Sequence, residues 1–215
     1  MRPFIFMEAK GIHVIDVDKT SKQLERACHA MGQLVRQGKK ILFVCTKKQG
    51  KQIVTEAAQK VNMPYVTERW LGGMLTNFAT IKRSVKKMNS IEKKLADTTL
   101  TSITKKERLM LEREHAKLQK VLHGIAGINR PPHAIFIVDI FHEHLALAEA
   151  KKLKMLTFGI VDTNSDPTKV DYPIPANDDS SKSIRLLMDY VVKCVQEAQA
   201  ERAKERSAAA KQQED

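Results

Sequence analysis

The sequence predicts an α/β fold of three layers: a parallel sheet sandwiched by helices in the flavodoxin-like manner, interrupted by an inserted helical hairpin. Three observations carry this. Short apolar runs alternate with stretches of helical period along most of the chain. The run Ile41-Leu42-Phe43-Val44-Cys45 is uninterruptedly apolar, as a strand covered on both faces requires. The alternation then stops over 68–132, far longer than the single helix that crosses over between parallel strands.

In chain order, the first strand is expected from Gly11 to Val17, where Ile12, Val14, Ile15 and Val17 sit among few polar residues. Thr20 and Gln23 follow at capping-box spacing. They precede a helix whose Leu24, Ala27, Cys28, Met31, Leu34 and Val35 recur with helical period, and Gly38 stands where its C-terminal cap belongs. Lys40 to Thr46 is the next strand. A second helix carries Ile53, Val54, Ala57, Ala58 and Val61, ends near Asn62, and yields at Pro64 to a short strand, Tyr65 to Thr67. Beyond the interruption come the strand Ala134 to Ile140, a helix from Glu143 to Lys152, the strand Met155 to Val161, and a turn over Asn164-Ser165-Asp166-Pro167. A short last strand is expected from Tyr172 to Ile174. The closing helix starts near Ser180 or Ser181, with Ile184, Leu187, Met188, Val191, Val192 and Val195 on one stripe. From Gln199 onward that stripe shrinks to Ala, so 199–215 is expected to be a frayed helix or a disordered tail.

Inside the interruption, Ile81, Val85, Met88 and Leu95 mark one helix and Thr98-Thr99 through Ser102 breaks it. Thr104 and Glu107 then cap a second helix bearing Leu111, Leu118, Leu122 and Ile125. The stripes are narrow and roughly heptad-spaced, so the two helices are expected to pair mainly with each other as a coiled-coil hairpin. The organisation that results is a discontinuous core, 1–80 and 124–198, a hairpin over 81–123, and the tail.

The chain has 37 Lys and Arg against 25 Asp and Glu in 215 residues, a net charge of +12, which favours a polyanionic partner. No apolar run is long enough to span a membrane, so the expected partner is nucleic acid. Between Lys82 and Lys120 there are twelve bases against five acids, net +7. A merely solvated helix face balances its signs. Such a surplus suits phosphate neutralisation, which gives affinity with little reading of sequence. The bases expected to lie on RNA backbone are Lys82, Arg83, Lys86, Lys87, Lys105, Lys106 and Arg108. On the core the same expectation falls on Lys47, Lys48, Lys51 and Arg69, with Trp70 beside them.

Catalytic alternatives find little support. Thr46-Lys47-Lys48-Gln49-Gly50-Lys51 follows a strand and opens a helix, where phosphates often bind. It lacks both the Gly-x-x-x-x-Gly-Lys-Ser/Thr and the Gly-x-Gly-x-x-Gly patterns. His142-Glu143-His144 is not at His-Glu-x-x-His spacing, and a helix-start acid between polar neighbours is the simpler reading. Asp139, Asp162, Asp178 and Asp179 fall near strand ends, where a divalent cation is conceivable near Asp162 and Asp178, but turn and helix capping accounts for them more simply. Cys28, Cys45 and Cys194 are widely separated, with no C-x-x-C pair, and are read as free thiols. No nucleophile stands beside a base and an orienting partner, so no catalytic residue, metal or cofactor is expected. The apolar stretch before Glu8 is too short for a signal peptide, so the protein is expected in the cytosol.

The segment Arg69-Trp70-Leu71-Gly72-Gly73-Met74-Leu75-Thr76-Asn77-Phe78, followed by Ile81, reads physically as a hinge: its Gly pair permits a sharp turn while Trp70 and Phe78 bury or stack. It is also similar to the hallmark segment of the bacterial ribosomal protein family numbered second in the small subunit. Gly11 to Lys19, Ile41 to Gln49, Ile137-Val138-Asp139, Gly159 to Pro167 and Asp171 to Asp179 resemble the same family, in the same order. The resemblance implies a parallel sheet with a protruding coiled-coil hairpin, bound to small-subunit ribosomal RNA between head and body. It implies other small-subunit proteins as neighbours, including the large first-numbered protein where one is present, and a cytoplasmic place in the ribosome, as a single copy rather than a homo-oligomer. Family members carry a histidine-rich segment and a helix ahead of the match at Arg2-Pro3-Phe4-Ile5-Phe6. At Ala176 the family has Gly, so a small adjustment of the backbone is expected there.

Overall fold

The structure, a computed structural model, describes residues 1–96 and 104–211, with backbone alone for 208–211. The chain opens with an antiparallel ribbon of β1 (Ile5–Ala9) and β2 (Ile12–Ile15), closed by Lys10 and Gly11 at φ +52° and +77°. Two successive positive φ values in a two-residue loop match the natural twist of a hairpin. This corrects the first expected strand. Within Gly11 to Val17 only Ile12–Ile15 is a strand, and it pairs with β1 alone, apart from the parallel sheet, with Ile12 and Val14 exposed. An apolar run shows that a strand is favoured, but not which partner covers it.

Helix α1 (Val17–Arg36) begins four residues earlier than its capping-box spacing suggests. Asp16 is the N-cap, its carboxylate accepting from the Asp18 and Lys19 amides. Thr20, displaced from capping, donates its hydroxyl to the Pro175 carbonyl at 2.6 Å and ties α1 to the far edge of the sheet. At the other end Gly38 takes φ +77° and the Lys39 amide reaches back to the Leu34 carbonyl at 3.0 Å, closing the helix as the glycine predicts.

The remaining strands are β3 (Ile41–Val44), β4 (Tyr65–Val66), β5 (Ala134–Val138), β6 (Leu156–Val161) and β7 (Tyr172–Pro175). They form one parallel sheet in the order β4-β3-β5-β6-β7. The helices between and after them are α2 (Lys51–Lys60), α3 (Phe78–Ala96), α4 (Lys105–Leu122), α5 (His144–Lys152) and α6 (Ser181–Lys211). Alternation along each strand divides the interior in two. Ile41, Phe43, Ala134, Phe136, Phe158 and Ile160 face α1, α2 and α6, whereas Leu42, Val44, Ile135, Ile137 and Val161 face α3 and α5. The expected three-layer sandwich is therefore present. Its continuous apolar strands reflect burial on both sides.

The long interruption has a double use. Ile81, Val85 and Met88 from the base of α3, with Leu122 and Ile125 from the return, belong to the second core cluster and cover that face where a crossover helix would. Farther out, α3 and α4 lie against each other, joined by a Lys87–Glu114 ion pair. Thr104 and Glu107 form the reciprocal capping box the spacing predicts. Leu111 and Leu118 stay only partly buried. The break expected over Thr98-Thr99 to Ser102 lies outside the described residues. Helix α6 continues to Lys211, past residue 198 where the sequence reading placed the edge of the fold; the Gln199 amide donates to the Val61 carbonyl at 2.7 Å and Glu201 pairs with Arg36. Ala176 needs no positive φ and is buried against the core, so the alanine is accommodated without left-handed backbone.

Candidate nucleic-acid interface

The strand order reverses between β3 and β5, which is where an open α/β sheet places a ligand, outside the C-terminal strand ends. Here that crevice is closed by the protein's own charges. The Lys47 ammonium, just beyond β3, lies 2.6 Å from Asp178, 2.6 Å from Asp179 and 3.0 Å from Asp139. Glu143, at the start of α5, accepts the Thr46 amide at 2.6 Å across the same gap. Burial alone would lower the Lys47 pKa, but its hydrogen bonds to Asp178, Asp179 and Asp139 outweigh that and raise it well above the lysine range. Burial pushes Asp178 up to about 6; Lys47 opposes the shift, while Asp139 and Asp162 add to it. The position expected to meet a phosphate is thus an internal cation, and Lys47 is withdrawn from the interface.

Two of the four strand-end aspartates, Asp139 and Asp162, cap backbone amides, whereas Asp178 and Asp179 bind Lys47. Asp139, at φ +67°, accepts the Phe141 and His142 amides, and Asp162 accepts those of Thr163 and Asp178. Among the described residues, Asp162, Asp178 and Asp179 are the acidic group that could hold a cation, offering oxygens within 4.8 Å of one another; Lys47 already supplies positive charge to two of them. His142 and His144 are exposed and flank the buried Glu143. Burial pushes the Cys45 thiol up to about 12, and all three cysteines are free. Nothing in the crevice pairs a nucleophile with a base.

The hallmark segment is a hinge organised by a residue that lies far from it in sequence. Glu149 of α5 accepts from the Trp70 indole N–H at 3.0 Å and from the Gly73, Leu75 and Thr76 amides at 2.7, 3.0 and 3.0 Å. The Thr76 hydroxyl adds a further bond at 3.1 Å. Burial would raise its pKa, yet the bonds from Thr76, Gly73, Leu75 and Trp70 together hold it below the usual glutamate value. Trp70 is therefore a buried member of the hinge, not a surface for stacking on RNA, and only Arg69 of that pair is exposed. Sequence reasoning missed Glu149, because a glutamate on a short amphipathic helix looks like any solvated one.

On the hairpin, α3 presents Lys82, Arg83, Lys86, Lys87, Lys93 and Lys94 at i, i+1, i+4, i+5, i+11 and i+12, opposite the stripe of Ile81, Val85, Met88 and Ile91. On α4, Lys106, Arg113, Lys117 and Lys120 recur at i, i+7, i+11 and i+14, again away from Leu111, Leu118 and Leu122. Arg113 and Lys117 were not among the residues singled out from sequence; helical spacing alone could have found them. Among the described residues Arg83, Lys86, Lys105 and Lys106 are exposed and make no ion pair. Lys82 bonds the Asn129 carbonyl, Lys87 pairs with Glu114 and Arg108 with Glu112. On the core, Lys48 is exposed and makes no ion pair among the described residues, while Lys51 lies 3.1 Å from Glu68. No helix among the described residues is long and apolar enough to cross a membrane.

A crevice shut by its own ion pairs and two helices lined with largely unpaired bases are the features of a scaffold suited to binding a polyanion. Residues 1–198 match the family described as Ribosomal protein S2. The small ribosomal subunit protein uS2 of Cytophaga hutchinsonii is 56% identical over 206 residues, covering 96% of this chain and 81% of the relative. Those of Flavobacterium johnsoniae and Bacteroides fragilis are 52% and 50% identical over the same share of this chain, covering 81% and 74% of their own lengths. The chain belongs to the ribosomal protein S2 family, whose members are structural components and not enzymes.

Proposed function

We propose that the chain is a structural constituent of the small ribosomal subunit, docking on its RNA through the hairpin and the Lys48–Arg69 side of the core. Family membership supports the role. The observation that carries the docking surface is the placement of the bases on α3 and α4, in rows turned away from the apolar seam and largely without acidic partners among the described residues. Phosphates meeting these rows release counterions, so binding tightens steeply as salt falls. Arg83, Lys86, Lys105 and Lys106 are the main hairpin contacts, with Lys82, Lys87 and Arg108 available once their weak surface pairs exchange for phosphate. Lys51 contributes from the core in the same way. The protein works as one copy in the cytoplasmic ribosome, beside other small-subunit proteins and, where present, the large first-numbered one.

Sedimentation of the tagged chain from lysate, with and without nuclease, tests the role: recovery with the small subunit, lost on RNA digestion, is expected. Binding of the purified chain to small-subunit RNA then tests the surface. Replacing Arg83, Lys86, Lys105 and Lys106 by Gln should lower the slope of log affinity against log salt by about one per contact removed. An unchanged slope removes the hairpin from the interface, and a free, nuclease-insensitive protein overturns the role.

A further inference from the structure

We propose that Glu149 is the positioning residue that fixes the direction in which the basic hairpin leaves the core, and hence whether hairpin and core can engage one RNA surface together. The inference rests on the RNA-docking reading above and concerns a residue whose carboxylate oxygens are taken up by the hinge.

The geometry is specific. The segment from Trp70 to Thr76 leads directly into α3 at Phe78, through an Asn77 amide bonded to the Gly73 carbonyl at 2.8 Å and a Thr80 hydroxyl bonded to Asn77 at 2.9 Å. Whatever sets the path of 70–76 therefore sets the first turn of α3. One carboxylate does so, because five donors converge on its two oxygens, three of them backbone N–H groups. Gly73 takes φ +88°, which turns successive amides toward one point. The carboxylate stands on α5, held between β5 and β6 by buried Ala146, Leu147 and Ala150, so the anchor is rigid with respect to the sheet. Packing of Ile81, Val85 and Met88 holds the base of α3 on the core. Apolar contacts are non-directional, whereas hydrogen bonds to a charged acceptor are short and angle-dependent.

Two linked binding surfaces gain from being held in the bound arrangement. If Glu149 supplies that arrangement, losing it lowers affinity without deleting a phosphate contact. Glu149→Gln keeps the shape but replaces one acceptor oxygen by an NH2 group that faces donors. Expected is a protein of wild-type circular dichroism with faster hydrogen exchange at the Gly73, Leu75 and Thr76 amides. Its affinity for RNA extracted from small subunits should fall about tenfold at every salt concentration, with the salt line parallel to the wild type. Misfolding would instead reduce the active fraction and leave the affinity of the remainder unchanged. Trp70→Phe removes one donor while keeping a six-membered aromatic ring in the buried site, and should shift affinity the same way by a smaller factor; it serves as the test if Glu149→Gln does not fold. Wild-type affinity in the folded variant, with hairpin Gln variants weakened, overturns the positioning role and leaves the docking reading intact. A wild-type chain that does not bind this RNA ends both.

Discussion

Lys47 and Lys48 are adjacent, equally charged and equally plausible as phosphate ligands in the sequence, yet the structure gives them opposite fates. Lys47 turns inward to three carboxylates and Lys48 outward to solvent. Removing one partner of a buried ion pair leaves uncompensated charge. Lys47→Gln, which strands the buried Asp139 and Asp178 together, should cost about 3 kcal/mol in urea denaturation while leaving the salt slope of RNA binding unchanged. A lower slope with unchanged stability would return Lys47 to the interface. The same distinction separates Trp70 from Arg69: the indole is buried against Glu149 and the guanidinium is free to meet a partner.

Among the elements, the α3–α4 excursion depends on a close approach at its return. A Cβ built at Gly124 would lie 2.1 Å from the Tyr65 carbonyl oxygen, so any larger residue pushes the end of the hairpin off β4. Gly124→Ala should destabilise the protein by about 3 kcal/mol, read as a lower urea midpoint with an unchanged slope. The capping box at Thr104 could be read from sequence, because its donors and acceptors lie within one turn. The similar spacing at Thr20 misled, because Asp16 lies closer to the first free amides and Thr20 has a better acceptor at Pro175. Spacing identifies a motif; competition among neighbouring groups decides whether it forms.

Over the whole molecule, hairpin and sandwich share a core, since Ile81, Val85, Met88, Leu122 and Ile125 pack with Leu42, Val44, Ile135 and Ile137. A boundary drawn at 80/81 would cut through that cluster. Thermal unfolding followed by calorimetry should therefore show one cooperative transition, with calorimetric and van't Hoff enthalpies equal; two resolved transitions would make the hairpin an independent unit. The charge is divided in the same sense. The sandwich closes its crevice by setting Lys47 among three carboxylates, while the excursion carries a surplus of +7 between Lys82 and Lys120.

The sequence by itself determined the parallel sheet, the succession of its strands and helices from Ile41 onward, the long helical excursion and the surplus of positive charge on it, because periodicity, apolar runs and net charge are local or additive properties. Family membership was legible too, in the long ordered segments from Gly11 to Asp179. Only the tertiary structure decided that β2 leaves the sheet for a ribbon, that Lys47 and Trp70 are internal, and that Glu149 organises the hinge. Each of these depends on which groups from distant parts of the chain come within about 3 Å of one another, and a lysine, a tryptophan or a glutamate looks the same in sequence whether it faces water or a buried partner.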